Sequence, residues 1–263
     1  MPGFFFFGVG VNALSPVLFK KTLMRSLSNL LLAAILPLFL LSSCYRDVFG
    51  IEGSGPATSE TRMPGSFNGV ELSIDADVTL HADSVCHVVV SAQSNVLHVL
   101  ETDVHGSTLR IGFSRNVCRH NAIHIDLYAP AFVLATISGS GNIHNSDAIC
   151  NGNFKAAISG SGNIELGGLQ ANDAEANISG SGNIRLSGTA NSITTRTSGS
   201  GDMHLYDLPV NSGNVRISGS GNVEINAAQF LDINISGSGD VYYKNNPSVN
   251  VSISGSGHVH HVN

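Results

Sequence analysis

The tetrapeptide Ser-Gly-Ser-Gly occurs seven times, beginning at Ser138, Ser159, Ser179, Ser198, Ser218, Ser236 and Ser254, with spacings of 21, 20, 19, 20, 18 and 18 residues. A near-constant period of this length is the mark of a solenoid, in which each repeat is one unit that cannot bury an apolar face alone. The flanks repeat as well. Ile137, Ile158, Ile178, Thr197, Ile217, Ile235 and Ile253 precede the tetrapeptide directly. Ala135, Ala156, Ala176, Thr195, Val215, Ile233 and Val251 stand two residues earlier. Mostly polar or small residues separate the two sets, so this is period-two alternation: a strand with one buried face. After the tetrapeptide comes Asn142, Asn163, Asn183, Asp202, Asn222, Asp240 or His258, and then an apolar residue that opens a second alternating strand.

A coil of about 20 residues, extended at roughly 3.3 Å each, closes a circuit, and coils about 4.8 Å apart pair in parallel around ladders of Ile, Val and Leu. The expected fold is therefore all-β, a right-handed parallel β-helix, since parallel crossovers are almost always right-handed. With 29 Gly and only 12% charged residues, the composition suits strands and tight turns better than helices. The corner glycines are expected to supply positive φ and close approach between coils, and the recurring Asn to stack as an amide ladder.

Residues 65–136 are less regular but strand-rich, with alternation in Val70-Glu71-Leu72-Ser73-Ile74 and Val78-Thr79-Leu80. They are expected to begin the solenoid and cap its edge, because an uncapped edge invites aggregation. Residues 137–263 form the regular part, whose final coil His258, His260, His261 and Asn263 make polar. Residues 44–64, with Gly53-Ser54-Gly55-Pro56, read as a flexible tether.

Residues 1–43 read as an upstream extension and a signal peptide. From Met24, a basic start at Arg25 leads into the apolar run Leu30 to Leu41 and then Leu41-Ser42-Ser43-Cys44. The run is too short to span a bilayer but suits an export signal. Leu41-Ser42-Ser43-Cys44 resembles the bacterial lipobox, which implies that Cys44 is acylated and becomes the mature N-terminus. The expected location is the cell envelope, most naturally the outer membrane, with the lipid as the only membrane contact. After Cys44 there are ten basic and 19 acidic residues, a net charge of 10 − 19 = −9. An acidic surface repels phosphates and argues against nucleic acid as a partner. Cys86, Cys118 and Cys150 remain in a chain expected to meet oxidising conditions. A Cys86–Cys118 disulfide within the cap is the expected pairing, and the absence of CxxC spacing argues against zinc.

Repeated Ile-Ser-Gly-Ser-Gly-Asn-Ile, preceded by Phe67-Asn68-Gly69-Val70 and Asp77-Val78-Thr79-Leu80, resembles the head GIN domain family over residues 65–260. Its members are described as autotransporter-adhesin heads and are exported or lipid-anchored bacterial proteins. The resemblance implies a β-helical fold and supplies no catalytic residues.

The chemistry-bearing candidates are few. A nucleophilic Ser needs a base and an orienting acid, whereas here Ser recurs in every coil, as a structural corner would. Calcium needs several carboxylates, and only Asp202 and Asp240 fill the corner position. His258, His260 and His261 sit at the chain end, where a solvated terminus outweighs a metal site. No metal or cofactor is expected. Glu165, Arg185, His204, Glu224 and Tyr242, flanked by His144 and His260, follow the apolar ladder and are expected to form an outward polar stripe. These features predict a non-catalytic envelope lipoprotein for adhesion or surface contact, with a glycan or matrix polymer as partner. Two alternatives are a polysaccharide lyase or pectinase-like enzyme on the same scaffold and a structural envelope spacer.

Overall fold

The alternation around each tetrapeptide does place strands in register. The computed structural model describes residues 3, 50–148 and 151–263. Its first part holds β1 (Ile51–Glu52), β2 (Ala57–Arg62), β3 (Gly69–Leu72), β4 (Asp77–Ala82), β5 (His87–Gln93), one helical turn (Ser94–Leu97), β6 (Leu100–His105), β7 (Thr108–Phe113), β8 (Val117–Arg119) and β9 (His124–Ala129). The repeats form β10 (Leu134–Ile137), β11 (Asn142–Asn145), β12 (Asn151–Ile158), β13 (Asn163–Ile178), β14 (Ile184–Thr197), β15 (Met203–Ile217), β16 (Val223–Ile235), β17 (Val241–Lys244), β18 (Ser248–Ile253) and β19 (Val259–His261). Two walls result, one before and one after each Ser-Gly-Ser-Gly corner. The long strands β13 to β16 run from the second wall of one coil through a return into the first wall of the next.

All pairings between successive repeat coils are parallel, and the two inward rows read from the sequence stand one above another: Ala135 to Val251 and Ile137 to Ile253. Ile137, Ile158, Ile178, Ile217 and Ile235 are at most 2% exposed, and each such burial contributes about 1.5–3 kcal/mol. Coil length varies by up to three residues without breaking these rows, because register shifts fall in the returns, between Leu166 and Leu169 and between Leu205 and Val210. The fold is thus the expected parallel β-solenoid.

The corner works differently from the expectation of positive φ. None of the Ser-Gly-Ser-Gly glycines has it; Gly168 and Gly188, in the returns, do. What the corner glycines supply is space. A Cβ on Gly180 would lie 1.9 Å from the carbonyl oxygen of Gly160, and one on Gly182 1.8 Å from that of Gly162. The corner backbone continues the ladder instead of turning on itself: Ser179 N–H donates to Ile158 O (2.8 Å) and Ser181 N–H to Gly160 O (3.1 Å).

The expected amide ladder is present and runs from Asp77 to His258. Asn142 Nδ2 donates to Asp77 Oδ1 (2.8 Å) and Asn163 Nδ2 to Asn142 Oδ1 (3.0 Å). From Asn183 onward the backbone N–H joins in: Asn183, Asp202, Asn222, Asp240 and His258 each donate N–H to the side-chain oxygen one coil below, at 2.7–3.1 Å. The shared requirement is an oxygen acceptor, which Asn and Asp both provide, so both occur along the row.

The cap departs from chain order. β3 and β4 pair with β10 and β11 on one side and with β7 and β9 on the other, so the later β7–β9 coil lies outside the earlier β3–β4 coil. Antiparallel strands then close this end: β6 on β7, β5 on β9 and β2 on β5. Residues 51–52 and 57–62, expected within a flexible tether, are therefore strands. β1 pairs with β8, and the Arg62 guanidinium at the end of β2 donates to Leu100 O (2.7 Å) and Leu97 O (3.0 Å). The opposite end is less polar than expected. β18 pairs only with β16, leaving Val251 and Ile253 44% and 42% exposed.

The Cys86–Cys118 disulfide is not formed. Both thiols are free, Cys86 Sγ near Phe67 O and Cys118 Sγ near Ile51 O, each at 3.6 Å. Cys86 precedes β5, whereas Cys118 lies beyond its far end, where Gln93 accepts the N–H of Asn121. A seven-residue strand spans about 20 Å, far beyond the roughly 7 Å that a disulfide bridges. Cys44, the signal segment and Cys150 lie outside the described residues.

Candidate binding surface

Residues alternate in and out along a strand, so the residue after each second-wall ladder position points outward. Register stacks these residues in one row: Thr79, His144, Glu165, Arg185, His204, Glu224, Tyr242 and His260. The five expected stripe residues are thus brought together in a line. They also partner one another. Thr79 Oγ1 lies 2.9 Å from His144 Nε2, Arg185 Nε 3.9 Å from Glu165 Oε1, and His204 Nδ1 2.9 Å from Glu224 Oε2, while Tyr242 stacks on His260 at 4.9 Å. Exposed ion pairs of this kind contribute about 0–1 kcal/mol, so a ligand can open them at small cost. An open depression of about 1160 Å³ borders His144, Glu165 and Arg185.

One row further along lies a feature that the sequence reading missed. Lys244 Nζ sits 4.3 Å above the Tyr206 ring, and Asn226 Nδ2 donates to Tyr206 O at 3.0 Å. Burial, then the charge of Glu224 and the neighbouring Tyr242, raises the Tyr206 phenol above its ordinary range. The signal was present as Tyr206 and Lys244 two coils apart, but without register the pairing could not be read.

On the first wall, Glu175 gathers three donors: Asn177 Nδ2 (2.7 Å), Arg196 Nη1 (3.3 Å) and Lys155 Nζ (3.4 Å). The Asn177 amide, followed by Lys155 and Arg196, holds its carboxyl below the usual value against the opposing pull of desolvation. Lys155 and Glu175 border a second open depression of about 830 Å³.

Ser146, His81 and Asp126 form a line whose residue types are those of a hydrolase. Ser146 Oγ lies 2.8 Å from His81 Nδ1, and His81 Nε2 lies 2.9 Å from Asp126 Oδ1. The Ser146 hydroxyl, however, donates to Asp147 Oδ2 at 3.0 Å, and its N–H is taken by Leu80 O. Asp147 thus competes with His81 Nδ1 for the one hydroxyl hydrogen, and Ser146 has no free N–H for an oxyanion. It ties three coils together, with His81 also stacked on Tyr128 at 4.6 Å.

Among the described residues, no group of three or more His, Cys, Asp and Glu side chains is placed to hold a metal, and no helix is long and apolar enough to cross a membrane. Asp240 Oδ1 lies 3.6 Å from His258 Nδ1, and its Oδ2 lies 3.9 Å from His260 Nε2.

Solved structures share the fold. A "putative adhesin" from Bacteroides fragilis NCTC 9343 is 21% identical with a TM-score of 0.72, covering 81% of this chain and all of its own. A "putative lipid binding protein" from Parabacteroides distasonis ATCC 8503 is 23% identical with a TM-score of 0.69, covering 82% of this chain and all of its own. A "putative adhesin" from Parabacteroides merdae ATCC 43184 is 20% identical with a TM-score of 0.62, covering 81% of this chain and 99% of its own. No curated protein sequence matches the chain. Over residues 66–247 the chain matches the model of the family described as "Putative auto-transporter adhesin, head GIN domain", and it belongs to that family.

Proposed function

We propose that the chain is a bacterial envelope lipoprotein, anchored through acylated Cys44, whose solenoid makes non-catalytic adhesive contact with a surface glycan or matrix polymer. Family membership supports an adhesion-type role. The observation that carries the reading is the second-wall row, in which Glu165, Arg185, His204, Glu224 and Tyr242 repeat at the spacing of the coils. Weak contacts repeated on a rigid scaffold reinforce one another along a polymer, because each later contact is intramolecular.

The test has two parts. Residues 45–263, probed on an array of glycans and matrix proteins and incubated with the polysaccharides bound, are expected to bind without releasing product. Combining Arg185→Ala with Tyr242→Ala is expected to weaken that binding. Product formation abolished by changing one acidic residue would replace this reading with an enzyme. Cys44→Ser is expected to release the full chain from the membrane fraction, and unchanged retention would remove the lipid anchor from the proposal.

A further inference from the structure

The first wall carries two arginines where a neutral or opposite pair would be more stable. Arg196 and Arg216 are register partners on adjacent coils, about 4.8 Å apart along the ladder. Like charges directly opposite in a sheet are destabilising. Arg196 shares Glu175 with Lys155. The Arg216 guanidinium makes no ion pair or hydrogen bond among the described residues, although the chain has an acidic excess and most of its described cations find a carboxylate. Asp232, on the next coil, already accepts from Asn214 (3.0 Å) and Asn250 (2.7 Å). Beside the pair runs a shallow groove of about 480 Å³, edged by the exposed serines of the corner row, including Ser198 and Ser218, by Asn234, and at one end by Glu175, whose carboxylate is already engaged by Asn177, Lys155 and Arg196.

We infer that this groove is an oxyanion subsite for a glycan bearing isolated carboxylates or sulfate esters. Two guanidiniums one coil apart can share the oxygens of one such group through charge-assisted hydrogen bonds. Ser198, Ser218 and Asn234 meet the hydroxyls of the sugar that carries it. The acidic surface as a whole disfavours densely charged polymers, so the fitting ligand spaces its charges along neutral sugars. The inference rests on the adhesive reading above and gives it a ligand class and a second wall.

The test is calorimetric titration of residues 45–263 with a hyaluronan octasaccharide, a chondroitin 4-sulfate octasaccharide, N-acetylchitooctaose as the neutral probe, sodium sulfate, and a single-stranded DNA octamer. A charged glycan is expected to bind more tightly than the neutral one, with affinity falling as salt rises. Arg216→Gln is expected to weaken charged-glycan binding about tenfold or more, as for a lost charge-assisted hydrogen bond, and Arg196→Gln less, because Glu175 already engages it. Neutral-glycan binding is expected to be unchanged in both variants, with circular dichroism checking the fold. Equal binding of charged and neutral glycans, or an indifferent Arg216→Gln, overturns the subsite while leaving the adhesive reading standing. Sulfate or DNA binding as tightly as the glycans would reduce the pair to a generic anion contact and also overturn the inference. Failure of every probe overturns it too, and the protein arms of the array then decide the adhesive reading separately.

Discussion

Gly180→Ala tests whether the corner glycines serve space or conformation. The added methyl would sit 1.9 Å from the carbonyl oxygen of Gly160 and 2.9 Å from its carbonyl carbon. A carbon–oxygen contact needs roughly 3.3 Å, so the neighbouring strand must retreat by more than an ångström from a ladder repeating every 4.8 Å or so. Overpacking of this kind costs about 1–3 kcal/mol. Gly160 O also accepts the N–H of Ser181 at 3.1 Å, and losing that bond adds about 1 kcal/mol. The expected destabilisation is therefore about 2–4 kcal/mol, or a fall of roughly 4–16 °C in Tm for a chain of this size. Three companions calibrate it in thermal and urea unfolding. Gly112→Ala, with nothing within 4 Å of its new methyl, should be near neutral. Gly139→Ala, whose methyl meets the Ser73 carbonyl at 2.9 Å, should be intermediate. Gly180→Asn should be no better than Gly180→Ala, although Asn tolerates positive φ better than most residues. A Gly180→Ala chain that melts with Gly112→Ala would refute the steric reasoning, and rescue by Asn would restore the conformational one.

Thr195 and Thr197 are buried in the ladder with hydroxyls that have no partner; Thr197→Val is expected to raise stability by about 1 kcal/mol in urea unfolding, because it removes an unsatisfied polar group at nearly constant shape. Asn183→Leu deletes the oxygen that accepts from Asp202 N–H, and is expected to cost about 1–2 kcal/mol, whereas Asn183→Asp keeps the acceptor and should cost less by the same measurement. The folded-state carboxyl of Glu175 lies below its ordinary value of 4.5, chiefly through the Asn177 amide. Its contribution is thus present at neutral pH and lost as pH falls through the lowered value, where the unfolded chain binds more protons. Glu175→Gln is accordingly expected to flatten the acid limb of a stability–pH curve.

The repeat region was legible because its information is local. The seven corners give the period, the period gives the register, and the register gives the outward row from His144 to His260. The cap was not, because its order depends on pairings between distant segments: Gly69–Leu72 lies between Thr108–Phe113 and Leu134–Ile137, and no repeat links the three. Gly, Ser and Pro at 53–56 read as a tether because turn composition does not reveal that β5 offers Ala57–Arg62 an edge to pair with. The pair of free thiols has the same origin, since separation along a strand cannot be read before the strand's partners are known. The corner glycines were assigned to the right place for only part of the right reason. Composition shows that a side chain is excluded there, but not whether the chain's own torsion or its neighbour excludes it. The Arg196–Arg216 juxtaposition follows from the spacing of 20 residues, yet its oddity emerges only when most of the other described cations are seen to face a carboxylate.

The oxygen row that begins at Asp77 makes coils interchangeable. Each coil receives an acceptor from below and offers an equivalent one above, and each glycine gap matches its neighbour. Excision of residues 179–197 would bring the N–H of Ser198 to the Ile158 carbonyl that Ser179 uses now, and Asp202 to the oxygen of Asn163. Nothing at the new junction would need to be redesigned. Gain or loss of one coil would therefore lengthen or shorten the solenoid by a step of about 4.8 Å. The length of the solenoid can thus change by a whole coil while the contacts between neighbouring coils keep their form.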